Sequence, residues 1–204
     1  MNILFQHFQA KRGFFFAHVG WLLVKKDPKV IEAGRKLDLS DLEKDPVVMF
    51  QKRMDPLFSQ TVCFVLPTLA HYYFWNESIV AAYFVEVLRY ILVLHGTWLV
   101  NSAAHLYGDH PYDPNSNPAE NVFVAIASVG EGWHNWHHKY PYDYAASELG
   151  SDRHWNPTKI IIDICAFMGL VTDRKRALGA WELLKQKRLD NGEDIRAMTS
   201  SFAY

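Results

Sequence analysis

The sequence predicts an all-α fold: an integral membrane helical hairpin followed by a cytosolic helical cap that carries a histidine-rich metal site. Three observations predict it. Two apolar stretches of near-spanning length are separated by three polar residues, the basic residues sit almost wholly at the two ends of the chain, and an HxxHH run has helical spacing. Residues 58–75 carry no formal charge, and residues 79–100 hold only Glu86 and Arg89. Each stretch approaches the roughly 20 residues that a helix needs to cross a hydrocarbon core. Asn76, Glu77 and Ser78 between them suit a tight helical turn. Of the 21 Lys and Arg residues, ten precede Phe58, ten follow Val100 and one is Arg89. Under the positive-inside rule both ends then face the cytosol and the turn faces the far side. Glu86 and Arg89 are spaced i,i+3 and can pair on one helical face. The competing reading is a pair of buried helices in a soluble protein; polar intramembrane groups that face a bundle are compatible with the membrane reading.

The other elements follow in order. Residues 13–24 are apolar but too short to span, and Lys25-Lys26-Asp27-Pro28 stops them, which predicts one interfacial or core helix. Ser40 to Glu43 has the spacing of a capping box, and residues 47–53 form a helix behind Pro46 that leads into the hairpin. Residues 113–118 (DPNSNP) are a turn cluster. Residues 160–171 read as an apolar helix entered through Asn156-Pro157. From Asp173 onward an amphipathic surface helix is expected, fraying into a polar tail after Asp190. The expected organisation is a cytosolic segment 1–57, two transmembrane helices 58–100, a histidine-bearing region 101–190 and a tail 191–204.

Composition excludes several classes. Half of the 204 residues are apolar, enough for a packed core, and 21 basic against 22 acidic residues leave a net charge of −1. That balance argues against a nucleic-acid partner. Cys63 and Cys165 lack CxxC spacing, so neither a disulfide framework nor a thiolate zinc site is implied. Residues 1–8 lack the long apolar run of a signal peptide, so insertion is expected to rely on the hairpin.

The chemistry concentrates in residues 130–138, GEGWHNWHH. Spacings of three and four place His134, His137 and His138 along one side of a helix, where neighbouring rings converge. Neutral imidazole suits iron, zinc and copper. A solvated histidine patch is the bland alternative. Asn101 and His105, spaced i,i+4 where the second apolar stretch ends, weaken it by bringing a further donor pair to the same bilayer face.

These residues carry a resemblance. Residues 97–108 (TWLVNSAAHLYG), Pro111-Tyr112-Asp113 and residues 121–144 (NVFVAIASVGEGWHNWHHKYPYDY) resemble the membrane acyl-CoA desaturases of the stearoyl-CoA Δ9 type and their insect relatives. Residues 11–16 (KRGFFF), 20–23 (GWLL) and 36–42 (KLDLSDL) resemble a cytosolic segment of the same family. The likeness runs from about residue 10 to about residue 181.

The resemblance implies a reaction and its parts. Two Fe(2+) ions per complete site activate O2 and remove two hydrogens from a fatty acyl-CoA of the stearoyl or palmitoyl class, leaving a cis double bond. Electrons come from NADH through a reductase and cytochrome b5. His134, His137 and His138 would be the third histidine box, His105 a further ligand, and Asn101 a ligand through water. Thr97 and Trp98 would line the acyl tunnel, and Lys25 and Lys26 would meet the CoA phosphates; an ordinary juxtamembrane basic pair explains the lysines equally well. A multi-pass protein of the endoplasmic reticulum membrane is implied, in contact with membrane lipid and open to oligomers with itself or with other desaturases.

The departures are equally specific. The family's upstream HxxxxH and HxxHH boxes have no counterpart here, and His7 and His18 are spaced as neither. The chain is therefore expected to be N-terminally truncated and inactive by itself. A non-catalytic desaturase-like protein that pairs with full-length desaturases, or a related di-iron fatty acyl hydroxylase, are the alternatives.

Overall fold

Aspartate and asparagine side chains write four of the helix starts. Asp27 accepts from the Lys29 N–H at 2.8 Å and Asp45 from the Val47 N–H at 2.8 Å, each followed by a proline in the first turn. Asn121 and Asn156 accept from Val124 and Lys159 in the same way. A side-chain oxygen there satisfies an N–H that has no partner inside the helix. The computed structural model describes residues 10–151 and 153–192. Their helices are α1 (Phe14–His18), α2 (Pro28–Arg35), α3 (Ser40–Lys44), α4 (Pro46–Met54), α5 (Leu57–Gln60), α6 (Leu66–Trp75), α7 (Ile79–Asn101), α8 (Val122–Ala127), α9 (His134–Lys139), α10 (Pro157–Phe167) and α11 (Leu178–Asp190). A π turn, Thr61–Val65, joins α5 to α6, and 3-10 turns occupy Gly20–Leu23 and Ala103–His105. No strand occurs among the described residues; Glu120 makes isolated bridges to Asp109 and to Trp133.

The structure redraws four local expectations. The single helix over 13–24 divides at Val19, whose non-helical backbone (φ −136°, ψ −25°) ends α1 before the 3-10 turn. Ser40 is the first residue of α3 instead of its cap, and the Asp38 carboxylate takes the Ser40 N–H at 2.9 Å. The helix expected to reach 171 ends at Phe167 because Gly169 turns left-handed (φ 76°). There the N–H groups of Gly169 and Leu170 bond back to Ala166 and Cys165, a Schellman closure. Finally, α11 begins at Leu178, not near Asp173: Asp173 turns left-handed (φ 53°), and the Asp143 carboxylate takes the Ala177 N–H at 2.8 Å. The tail beyond residue 192 lies outside the described residues.

The chain forms two compact units, one containing residues 25–95 and the other residues 10–24 with 96–192. In the first, the arm Leu57–Trp75 runs antiparallel to α7. Phe64 packs on Tyr90 with ring centroids 5.1 Å apart, and His71 Nε2 lies 3.3 Å from Glu86 Oε1. Arg89 Nε donates to the buried Glu86 carboxylate, the i,i+3 pairing that the sequence suggests. Its Nη2 donates to the Cys63 carbonyl at 2.5 Å. That carbonyl faces Pro67 four residues on, which has no N–H to offer, so the guanidinium supplies the missing donor. Among the described residues one helix, Ile79–His105, is long and apolar enough to cross a membrane. Its outer face, including Val80, Phe84 and Leu92, is exposed and calls for an apolar surrounding. The partner arm is interrupted by the π turn and diluted by Gln60, Pro67 and His71.

In the second unit the core is aromatic. Tyr112, Trp136, Tyr140 and Trp181 are buried together, and Tyr112 lies between the two tryptophans at centroid distances of 4.8 and 5.1 Å. Glu148 accepts from the Tyr112 hydroxyl and the Trp181 indole, so the polar edges of both rings are satisfied. Trp181 is thus a core residue, and it docks the helix that the sequence presents as an amphipathic surface helix.

Candidate metal centre

The helix α9 is short, and the surrounding chain fixes where it starts. Glu120 Oε1 accepts the Trp136 N–H at 2.8 Å, filling one of the orphan donors of the first turn. Trp133, at the helix N-cap, is stacked face to face on His154 at 3.8 Å, and its indole N–H donates to the Trp155 carbonyl. Gly132 passes so close to α8 that a Cβ there would lie 2.1 Å from Ala125 N and 2.3 Å from Asn121 O. Only glycine permits that approach.

Three imidazoles converge in this frame. His105 Nε2 lies 3.0 Å from His134 Nε2, and His138 Nε2 lies 3.1 Å from the same atom. The ligating nitrogens of the three residues all fall within 4.8 Å of one another. The rings stand nearly perpendicular, at 76° for His105 with His134 and 79° for His134 with His138, so they meet edge-on. His134 is buried and the other two are half-buried. Burial pushes the His134 imidazole well below its ordinary pKa, and burial with the neighbouring imidazoles brings His138 down to about 4. Both rings are therefore neutral at physiological pH, the state in which imidazole donates to a metal. Nitrogens bonded to one ion at about 2 Å sit roughly three to four ångströms apart, and the His105–His134 and His134–His138 separations of 3.0 and 3.1 Å match that spacing.

The remaining predicted residues lie elsewhere. His137 is half-buried, with its ring 5.9 Å from that of His134, and stands outside the trio. Asn101 is the last residue of α7, four before His105. Thr97 is exposed and Trp98 half-buried one turn earlier, Trp98 meeting the His18 ring edge-on at 5.9 Å. Lys25 and Lys26 are exposed and belong to the unit of residues 25–95.

Comparison with known proteins decides the family. No protein-family model matches the chain. The chain is 52% identical over 184 residues to acyl-CoA desaturase 1 of Tachysurus fulvidraco, covering 90% of this chain and 55% of that protein. It is 52% identical over 184 residues to human stearoyl-CoA desaturase, covering 90% of this chain and 51% of that protein. Against the acyl-CoA Delta12-desaturase of Acheta domesticus the identity is 54% over 167 residues, 81% of this chain and 46% of that protein. The chain belongs to the acyl-CoA desaturase family. It spans about half the length of the curated relatives it matches.

In a chain of this family, the histidine trio is compatible with metal binding. Sequence reasoning passed over three residues that shape it: Glu120, Asn135 and His154, all buried. Glu120 bonds the backbone of α9 across 16 residues and Asn135 the backbone of the loop 112–118, pairings that leave no periodic trace in a sequence. His154 stands outside any HxxH spacing, and its isolation among polar residues hid its stacking on Trp133.

Proposed function

We propose that this chain serves an acyl-CoA desaturase reaction, supplying histidine ligands of a di-iron centre at a membrane surface. The observation that carries this reading is the convergence of His105, His134 and His138 on one point, in a chain about 52% identical to acyl-CoA and stearoyl-CoA desaturases. The balanced reaction takes a fatty acyl-CoA, O2, two electrons and two protons to a cis-unsaturated acyl-CoA and two waters. Two iron ions per complete site supply, when bound, the O2 activation and the oxidising power for attack on an unactivated C–H bond.

The protein's own part is placement. Burial keeps the His134 and His138 imidazoles unprotonated and ready to donate. His137, on the same short helix but outside the trio, is assigned to the second ion, with Asn101 reaching an ion through water. Thr97 and Trp98 on the last turns of α7 line the acyl path, where an apolar wall holds a chain in the orientation that selective C–H attack requires. Lys25 and Lys26 offer paired charge to the CoA phosphates. Electrons arrive from NADH through a reductase and cytochrome b5 on the cytosolic face. The hairpin crosses the endoplasmic reticulum membrane with both ends cytosolic, which the basic residues at its two flanks support.

Four histidines are too few to fill two iron sites, so residues 1–204 alone are expected not to desaturate. The test is complementation of a yeast strain lacking its own Δ9 desaturase, scored as growth without unsaturated fatty acids. Rescue by a fusion carrying the N-terminal half of a family member, and loss of that rescue with His134→Ala, support the proposal. Rescue by residues 1–204 alone contradicts the shared site. Failure of every fusion, with co-purification of a full-length desaturase, favours a non-catalytic partner.

A further inference from the structure

Asn135 follows the ligand His134 directly, and its side chain is fully buried. Its Oδ1 accepts the N–H groups of Tyr112 at 2.9 Å and Asp113 at 3.0 Å. Its Nδ2 donates to the Pro118 carbonyl at 2.8 Å, to Ser116 Oγ at 2.9 Å and to the Asp113 carbonyl at 3.2 Å. Both ends of the amide are thereby saturated, and all five partners lie in one loop, 112–118. That loop has no helix or strand to hold it; the amide does the holding.

The loop's next residue carries the connection onward. Ala119, fully buried, donates its N–H to the Ala104 carbonyl at 2.7 Å, and Ala104 is bonded to His105. The path from one ligand to the other is therefore His134 to Asn135 by a peptide bond, Asn135 to Pro118 by a hydrogen bond, Pro118 to Ala119 by a peptide bond, and Ala119 to Ala104 and His105. The two histidines are 29 residues apart in sequence, and no shared helix sets their spacing. We propose that Asn135 is a positioning residue, which fixes the gap between His105 and His134 through the Pro118 carbonyl. The inference rests on the metal-centre reading for its purpose, though its geometry is independent of any ion. Buried side chains that hold metal ligands from behind typically matter 10- to 100-fold in metal affinity.

Two alterations separate this role from general support of the fold. Asn135→Asp keeps an accepting oxygen and loses every Nδ2 donation, to Pro118, Ser116 and the Asp113 carbonyl. Ser116→Ala removes one partner of Asn135 that lies off the path to His105. The full chain in lipid nanodiscs is titrated with Co2+, read by its visible absorption. In parallel, the metal-free protein is treated with diethylpyrocarbonate and the modification of each histidine is followed by mass spectrometry. Asn135→Ala and Asn135→Asp are expected to weaken Co2+ binding about 10- to 100-fold and to alter the visible band, while Ser116→Ala stays within about twofold of the unaltered chain. In both Asn135 variants His105 and His134 are expected to react about tenfold faster, with the buried His154 still protected. Unchanged reactivity of His134, or loss of His154 protection alongside it, overturns the proposal. If the unaltered chain takes up no Co2+, the metal-centre reading fails, and the histidine reactivities still decide the role of Asn135.

Discussion

Glu120 Oε1 receives the Trp136 N–H at 2.8 Å, across 16 residues of chain, while Glu120 Oε2 is buried without a partner. One oxygen thus caps the histidine-bearing helix and the other bears the cost of burial. Desolvation outweighs the helix N–H and raises the Glu120 carboxyl to about 8.

The sign of the consequence follows from linkage. An unfolded Glu ionises near 4.5, so between about 4.5 and about 8 the folded state holds a proton that the unfolded state has released, and stability falls as pH rises. The buried histidines act oppositely, since unfolding lets His138 and His154 protonate below about 6.5. The window from about 6.5 to 8 therefore belongs to Glu120. In metal-free protein the unfolding free energy is expected to fall across that window by up to about 1.4 kcal/mol per pH unit, the thermal midpoint falling with it, and Glu120→Gln is expected to flatten the dependence. An equal slope in the variant would reassign the effect.

Glycine positions give a second, opposed pair of expectations. Gly132→Ala drives a methyl group into the backbone of α8 at Ala125 and Asn121, and neither backbone segment can move without displacing the start of α9. The variant is expected to lose several kcal/mol, about 3 or more, and to lose Co2+ binding with it. Gly34 lies inside α2 with nothing within 4 Å of an added Cβ. Gly34→Ala is expected to stabilise the chain by about 0.5–1 kcal/mol. Thermal denaturation of the two variants against the unaltered chain checks both signs.

What the sequence revealed and what it hid divide along a physical line. His134 and His138 were legible as partners because four residues make one helical turn, and Asp45-Pro46 and Asn156-Pro157 announced helix starts through chemistry local to themselves. The closure of His105 onto His134 was legible only as a shared bilayer face; the 3.0 Å contact depends on Ala119 bonding to Ala104, a pairing between loops without periodicity. Trp181 misled for the same reason. Its neighbours Lys185 and Lys187 suggest a surface helix, and only the distant Tyr112 and Glu148 make it a core residue.

The hairpin yields a topological expectation. With cysteines introduced singly into a variant lacking Cys63 and Cys165, position 77 in the turn is expected to resist a membrane-impermeant thiol reagent applied to the cytosolic side of microsomes. Positions 44 and 187 should label readily. Cytosolic labelling at 77, or full extraction of the chain by carbonate, would place the hairpin outside the bilayer.

The central claim is that His105, His134 and His138 bind one metal ion together, and X-ray absorption of the iron-loaded chain in nanodiscs tests it most directly. The account predicts iron retained after desalting, with about three imidazole nitrogens at roughly 2.0–2.2 Å, and loss of that imidazole signal in His134→Ala. Iron that washes away, or a shell of oxygen donors indifferent to His134→Ala, would contradict it.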